Sequence, residues 1–348
     1  MRTGSTQTRM RTAEQSAVID DVSLTAKRIF DSISTELMLV EEEFERQARS
    51  NIQVIAYLGE YLRGSGGKRV RPALTILSNY AVGGNGANYS SIRMATVMEF
   101  LHTATLVHDD VIDKAETRRN RPSINSEFGN QTAVLMGDWL YMSAFETSLA
   151  ERSLPVLDIL TAVTRKMTEG ELLQLTLLGR TDVSEEQYFD VIARKTAYLF
   201  SACCEIGALL GGADARTQNM LRDYGMNLGI AFQLVDDLLD FTSSEDVLGK
   251  PAGADLLEGK VSLPLIFLLQ REPEMRSAVQ AVITEASYQS FSRAALLEAL
   301  ERTGALQLAL ERAVEYAQAA RAAVQELPGS IHTQILTSIP DYIVDRDR

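Results

Sequence analysis

Along most of this chain apolar residues return every three or four positions, the spacing of one helix face, and few segments alternate as a half-buried strand would. The pattern predicts helices over residues 20–48, 51–62, 71–82, 90–113, 131–151, 155–178, 185–210, 215–241 and 261–271, with more up to about 343. The punctuation agrees. Ser184 with Gln187 forms a capping box ahead of Tyr188 and Phe189, and Gly83-Gly84-Asn85-Gly86 is a turn. Pro251, Gly253 and Gly259 interrupt the region after 241. Stretches 92–107 and 228–239 are apolar on most sides, which predicts that both sit in the centre of a bundle. No linker rich in Pro, Gly or Ser divides the chain, so we expect one all-α domain over residues 19–348 behind a disordered tail at 1–18.

Composition narrows the class. Of 348 residues, 45% are hydrophobic and 23% charged, the balance of an ordinary globular protein. A formal charge of −13 argues against nucleic acid as a partner, because such proteins carry a basic surface. An anionic substrate would have to be drawn in locally, by metals and a few placed Lys and Arg. The two cysteines, Cys203 and Cys204, are neighbours in a predicted helix and point about 100° apart, so neither a disulfide nor a chelate is expected. They read as small buried residues of a reducing compartment, which places the protein in the cytoplasm. No stretch reaches the length of a transmembrane span. The opening MRTGSTQTRMRTA is polar and basic but lacks the amphipathic period of a transit peptide.

Two acidic clusters of equal spacing carry the chemistry: Asp109-Asp110-Val-Ile-Asp113 and Asp236-Asp237-Leu-Leu-Asp240. On a helix, positions i and i+4 share a face, so each cluster aims its first and last carboxylates the same way. A single cluster would read as a solvated helix face. Two copies at the ends of strongly apolar helices place unpaired carboxylates where they are costly. Cations would relieve that cost, and Mg²⁺ suits it, taking one or two carboxylates and filling its octahedron with water and phosphate. Arg118 and Arg119 follow the first cluster, Lys250 and Lys260 the second, so base for phosphate alternates with acid for metal.

Upstream, Gly66-Gly67-Lys68-Arg69-Val70-Arg71-Pro72 joins paired glycines to a predicted helix start, where free N–H groups favour an anion. Arg71 could grip a diphosphate in bidentate fashion with Lys68 as a point charge; the alternative is a flexible basic turn. His102 stands seven residues before Asp109, two turns along the same face. Spacing alone leaves it divided between a buried core residue and a diphosphate contact. His108 turns to another face and is expected to be structural. Lys195-Thr196 puts a cation inside an apolar helix, a costly position unless it meets an anion, and Gln233 shares a face with Asp236.

In order, GGKRVRP, HTATLVHDDVIDKAETRR, GELLQL, RKTA, FQLVDDLLD, LGKPAGADL and GKVSLPLI resemble the trans-isoprenyl diphosphate synthases over about residues 50 to 270. The resemblance implies an all-α bundle around a deep central cavity, the isoprenoid synthase fold, in a homodimer. It also implies elongation of an allylic diphosphate by isopentenyl diphosphate. Carried over by position, Asp109 and Asp113, helped by Asp110, would bind two Mg²⁺ ions, and Asp236 a third with Asp240 in support, Asp237 being counted among the metal residues. Arg118, Lys195 and Lys250 would hold the allylic diphosphate, with Lys260 nearby. Lys68, Arg71, His102 and Arg119 would hold isopentenyl diphosphate, and Thr196 and Gln233 would turn oxygen dipoles toward the carbocation. No side-chain nucleophile is required, and the departing diphosphate is the natural base.

Product length follows from the wall behind the first aspartates: Thr105, Ala104, Leu101, Met98 and Val97. Short-chain members of the family place a bulky stopper four or five residues before the first Asp, where this chain has Thr105 and Ala104. A helix from 90 to 108 is ~28 Å long, room for several isoprene units. Leu101, Met98, Met94, Leu172, Leu173 or Leu175 could close the tunnel. The expected product is therefore hexaprenyl to decaprenyl diphosphate for a quinone side chain, with geranylgeranyl or farnesyl diphosphate as rivals. Phe at Ala104 should shorten it. A non-catalytic partner subunit would have lost aspartates or basic-loop cations that this chain keeps. A terpene cyclase would not need the second diphosphate pocket of Lys68, Arg71 and His102. Peripheral membrane contact could assist release of so apolar a product.

Overall fold

A computed structural model describes residues 29–50, 52, 55, 57, 69–118, 121–243 and 253–345. The predicted tail at 1–18, the boundary at 19 and most of the predicted helix at 51–62 lie outside these residues. The helices in order are α1 (Ser34–Gln47), α2 (Val70–Ala81), α3 (Tyr89–Ile112), α4 (Ile124–Phe128), α5 (Asn130–Leu149), α6 (Leu154–Leu177), α7 (Glu185–Ile192), α8 (Tyr198–Leu210) and α9 (Ala215–Thr242). They continue as α10 (Ala254–Leu257), α11 (Leu263–Arg271), α12 (Arg276–Glu285), α13 (Arg293–Arg302), α14 (Ala305–Ala323) and α15 (Ile331–Val344). The strands among the described residues are two residues each, β1 (Thr117–Arg118) paired antiparallel with β2 (Arg121–Pro122). The fold is all-α, as the apolar period predicts.

Short polar side chains set the helix starts. Asn88 accepts from the Ser91 backbone N–H at the head of α3, Ser153 from Val156 at α6, and Asp214 from Thr217 at α9. The predicted capping box is present at α7, with Ser184 and Gln187 each bonding the other's backbone. One departure from the pattern matters for function. The helix expected over 185–210 is broken by a π-helical turn, Ala193–Ala197, between α7 and α8. The sequence ARKTA gives no warning, since none of its residues disfavours a helix.

As predicted, α3 and α9 form the centre. Helix α3 packs on α5, α2 and α1, and α9 packs on α14, α8 and the π turn. Buried apolar side chains from Ile29 to Ile343 make one continuous cluster. Two glycines permit the closest approaches to the π turn. A Cβ on Gly229 would lie 2.6 Å from Ala197 Cα, and one on Gly170 would lie 2.8 Å from the Lys195 backbone nitrogen. Helices α6 and α9 thus clamp the turn from both sides.

Candidate active site

At the end of α3 the helical period separates the three carboxylates. Asp109 lines a cavity of ≈ 1040 Å³, and Asp113, one turn on, reaches Lys260. Asp110 points instead into the protein, where Arg118 Nε donates to both its oxygens at 2.8 and 2.9 Å. The short β1–β2 reversal brings Arg118 back over the helix end, and Arg118 also lines the cavity. Burial of the guanidinium opposes its charge, but Asp110 outweighs it and Arg118 is held more firmly protonated than usual.

The second cluster divides differently and departs from the i, i+4 expectation, because the segment around Asp255 covers Asp240. Asp236 and Gln233 of α9 line the cavity, whereas Asp237 and Asp240 are buried behind it. Asp237 accepts from the Tyr188 hydroxyl at 2.7 Å and from Gln233 Nε2 at 2.8 Å. Asp240 Oδ2 faces the backbone nitrogen of Asp255 at 3.4 Å.

Two ammonium groups cross to the first cluster. Lys195, carried by the π turn, lies 3.5 Å from Asp109 Oδ2 and 2.7 Å from Glu171. Lys260 lies 2.9 Å from Asp113 Oδ2 and 2.7 Å from Glu258. Burial lifts the Asp109 carboxyl to about 6; Glu171 and Asp113 add to the lift and Lys195 opposes it. Burial would lower the Lys195 pKa, yet Asp109 and Glu171 raise it overall. The cavity is therefore a set of carboxylates short of positive charge, with ammonium groups standing among them.

The opposite side of the cavity is basic. Arg71, in the first turn of α2, lies over the Phe200 ring at 4.9 Å and lines the cavity with His102. Beside them Arg69 takes a left-handed backbone, φ 44°, and pairs with Glu41 and Glu99. Of the remaining predicted anion contacts, Gly66, Gly67, Lys68, Arg119 and Lys250 lie outside the described residues.

Away from the charges the lining is Leu106, Met167, Leu172, Leu175 and Phe232 with Thr105 and Tyr141. Among the five predicted wall residues, Thr105 is in this lining. Ala104, Leu101, Met98 and Val97 are 0–1% exposed and pack into the core. Angular position explains the split. At ~100° per residue, the face carrying Asp109 continues through Thr105, Leu106 and His102, while Ala104 and Val97 turn more than about 100° away. Met98 does share that face by angle and is fully buried. Leu172 and Leu175 face the cavity as foreseen.

His108 turns to another face, as expected, and packs on α5, where it also borders the cavity. Its Nε2 lies 3.0 Å from the Val134 carbonyl, and the ring fits only because residue 137 is glycine. Glu171, Glu99, Arg69, Tyr141 and Asp138 also reach the cavity and carry no expectation from sequence. Glu99 had a usable signal, three residues before His102 on the same face. Glu171 lies within GELLQL. Tyr188 had none.

Among the described residues no three acidic, His or Cys side chains converge closely enough to hold a metal unaided. The donor set is nonetheless all oxygen, which fits a hard cation that shares its coordination with water and phosphate. Among the described residues no helix is long and apolar enough to cross a membrane.

Carboxylates from each of two central helices, basic groups and an apolar extension in one cavity define a prenyl-transferring enzyme of the all-α class. Residues 52–300 match the model of the polyprenyl synthetase family, and the chain belongs to that family. It is 38% identical over 323 residues to the octaprenyl diphosphate synthase of Escherichia coli (strain K12), covering 92% of this chain and 99% of that protein. Among solved structures it is similar to a polyprenyl synthase from Caulobacter crescentus CB15, complexed with calcium and isoprenyl diphosphate. There the TM-score is 0.88 at 34% identity, over 93% of this chain and 98% of that one. A decaprenyl diphosphate synthase from Rhodobacter capsulatus gives a TM-score of 0.86 at 34% identity, over 93% and 99%.

Proposed function

We propose that this prenyltransferase is an all-trans, long-chain polyprenyl diphosphate synthase. It adds isopentenyl diphosphate units to an allylic diphosphate and releases inorganic diphosphate at each addition. The observation that carries this reading is the single cavity in which Asp109 and Asp236 face Arg71, His102 and Lys195 and which then turns apolar at Thr105, Leu106, Leu172 and Leu175.

Asp109, Asp113 and Asp236 would hold Mg²⁺, three ions in all, whose charge would favour departure of the allylic diphosphate. Arg118, Lys195, Lys250 and Lys260 bind that diphosphate and stabilise the charge it gains on leaving. Arg71, Lys68, His102 and Arg119 hold isopentenyl diphosphate close enough for its double bond to meet the cation. Thr196 turns its oxygen toward the cation, backed by Gln233 Oε1, which accepts the Thr196 hydroxyl, and the released diphosphate removes the proton. The cavity's ≈ 1040 Å³ slightly exceeds the ~300–1,000 Å³ of small-molecule pockets. Long-chain relatives support a hexaprenyl to decaprenyl product, suited to a quinone side chain.

The working unit is a homodimer in the cytoplasm. Support comes from α5, which leaves Leu135 (68% exposed) and Met142 (61%) on its outer surface, a pair that a second copy would cover. Incubation of the purified chain with farnesyl diphosphate, isopentenyl diphosphate and Mg²⁺ tests the reading, with sizing of the lipid made and light scattering of the enzyme. Lipids of 30 to 50 carbons (about six to ten units) are expected; a chain inert without a second subunit would be the non-catalytic partner instead.

A further inference from the structure

Resting on that reading, we infer that Tyr188 is a positioning residue, which acts through Asp237 and Gln233 to fix the direction of the Thr196 hydroxyl at the cation-forming centre. Four side chains make a continuous line. The Tyr188 hydroxyl donates to Asp237 Oδ2 at 2.7 Å, Gln233 Nε2 donates to Asp237 Oδ1 at 2.8 Å, and Thr196 Oγ1 donates to Gln233 Oε1 at 2.9 Å. The first two residues are buried, and the last two open onto the cavity.

Tyr188 is buried, and its hydroxyl donates to Asp237 Oδ2. Gln233 presents its NH₂ to the other carboxylate oxygen, Oδ1. That choice settles the amide: Oε1 faces Thr196. The Thr196 proton is then committed to Gln233, and the lone pairs of the Thr196 oxygen are left toward the cavity. Without the line, the amide and the hydroxyl could each rotate, and a proton would face the developing cation for part of the time. Prearranged dipoles cost no reorganisation when the charge forms.

The arrangement explains features that metal binding leaves aside. Asp237 is the middle member of its cluster and lies behind the cavity rather than in its lining. The π turn places Thr196 opposite Gln233 of α9, and Gly229, one turn before Gln233, allows the two backbones to close. Tyr188 comes from α7, ahead of the π turn, so the line ties both ends of the irregular segment to α9.

A double-mutant cycle tests the inference. Tyr188→Phe should lower kcat roughly ten-fold while leaving both KM values within about two-fold, because the dipole acts on the cation and not on the diphosphates. In a Thr196→Ser background the same loss is expected. In a Thr196→Val background, where no hydroxyl remains to be aimed, Tyr188→Phe should have no further effect on kcat. Equal losses in the Ser and Val backgrounds, or a rise in either KM that accounts for the loss, would overturn the proposal. 4-Aminophenylalanine at position 188 keeps the shape and the donor and should retain wild-type kcat. A loss like that of Phe overturns the inference as well, and this variant serves if Tyr188→Phe folds poorly. Elongation by the wild-type chain in the same assay tests the underlying reading separately.

Discussion

Lys260 Nζ lies 2.9 Å from Asp113 Oδ2, although 147 residues separate the two in sequence. The contact ties the end of α3 to the loop that leads into α11. Burial opposes the ammonium charge, but Asp113 and Glu258 outweigh it, so Lys260 stays protonated throughout the ordinary pH range. A fixed cation here balances the carboxylates in the metal-free protein and would meet the incoming diphosphate. Lys260→Met should therefore lower kcat/KM for the allylic diphosphate about 10- to 100-fold while changing the KM for isopentenyl diphosphate little, a contrast that steady-state kinetics will show.

The Asp109 carboxyl makes the metal-free protein pH-sensitive. Its pKa rises from 3.8 to about 6, chiefly through burial. A raised folded-state pKa means that the folded chain binds this proton more tightly than the unfolded one. The resulting stability is present in full below the unfolded value and is lost as pH climbs through about 6. Asp237 is shifted in the same direction. Without metal, Tm should fall between pH 4 and 7 as these groups ionise (roughly 1.4 kcal/mol per pKa unit of difference). Magnesium needs the ionised form, so its effect on Tm should be larger at pH 8 than at pH 5. Thermal scans with and without millimolar MgCl₂ measure both, and Asp109→Asn should flatten the pH dependence.

Product length should respond to the lining that the structure identifies. Thr105 borders the cavity on the same helix face as Asp109, and Met98 shares that face by angle and is buried. Thr105→Phe should shorten the product by several isoprene units, and Met98→Ala should lengthen it or broaden its distribution. Ala104, which turns away from that face, should respond less to Phe and lose stability from overpacking, about 1–3 kcal/mol. Chromatographic sizing of the dephosphorylated products, beside thermal scans, separates the three cases.

Helix positions were legible wherever a polar cap preceded an apolar period. Asn88 and Ser184 fix the starts of α3 and α7 within a residue of those predicted. The i, i+4 rule was less complete: Asp109 and Asp236 line the cavity, but Asp240, one turn after Asp236, is buried behind it. Long-range partners were not legible. Nothing local shows that Arg118 folds back onto Asp110, because that depends on a two-residue strand pair. The π turn was hidden for a related reason: it is held by packing of α6 and α9 against Ala193–Ala197, not by the propensity of those residues. His108 does turn to another face, against Val134 and Gly137 of α5, but its place at the cavity edge was hidden because that setting depends on a glycine of another helix.

That glycine offers a compact test of how tightly the cavity is built. A Cβ on Gly137 would stand 2.1 Å from His108 Nε2, so alanine cannot coexist with the present ring position. The ring is the movable partner; displacing it breaks the contact with the Val134 carbonyl and should push imidazole into the cavity it borders. Loss of one hydrogen bond costs about 1 kcal/mol, which a domain of this size tolerates. Obstruction of the cavity should cost far more in turnover. Gly137→Ala should thus lower Tm by a few degrees but reduce kcat at least ten-fold. His108→Ala removes the clash, so the double variant Gly137→Ala, His108→Ala should recover most of the activity that Gly137→Ala loses. If the double variant is no more active than Gly137→Ala, the fault lies in α5 itself rather than in the displaced ring.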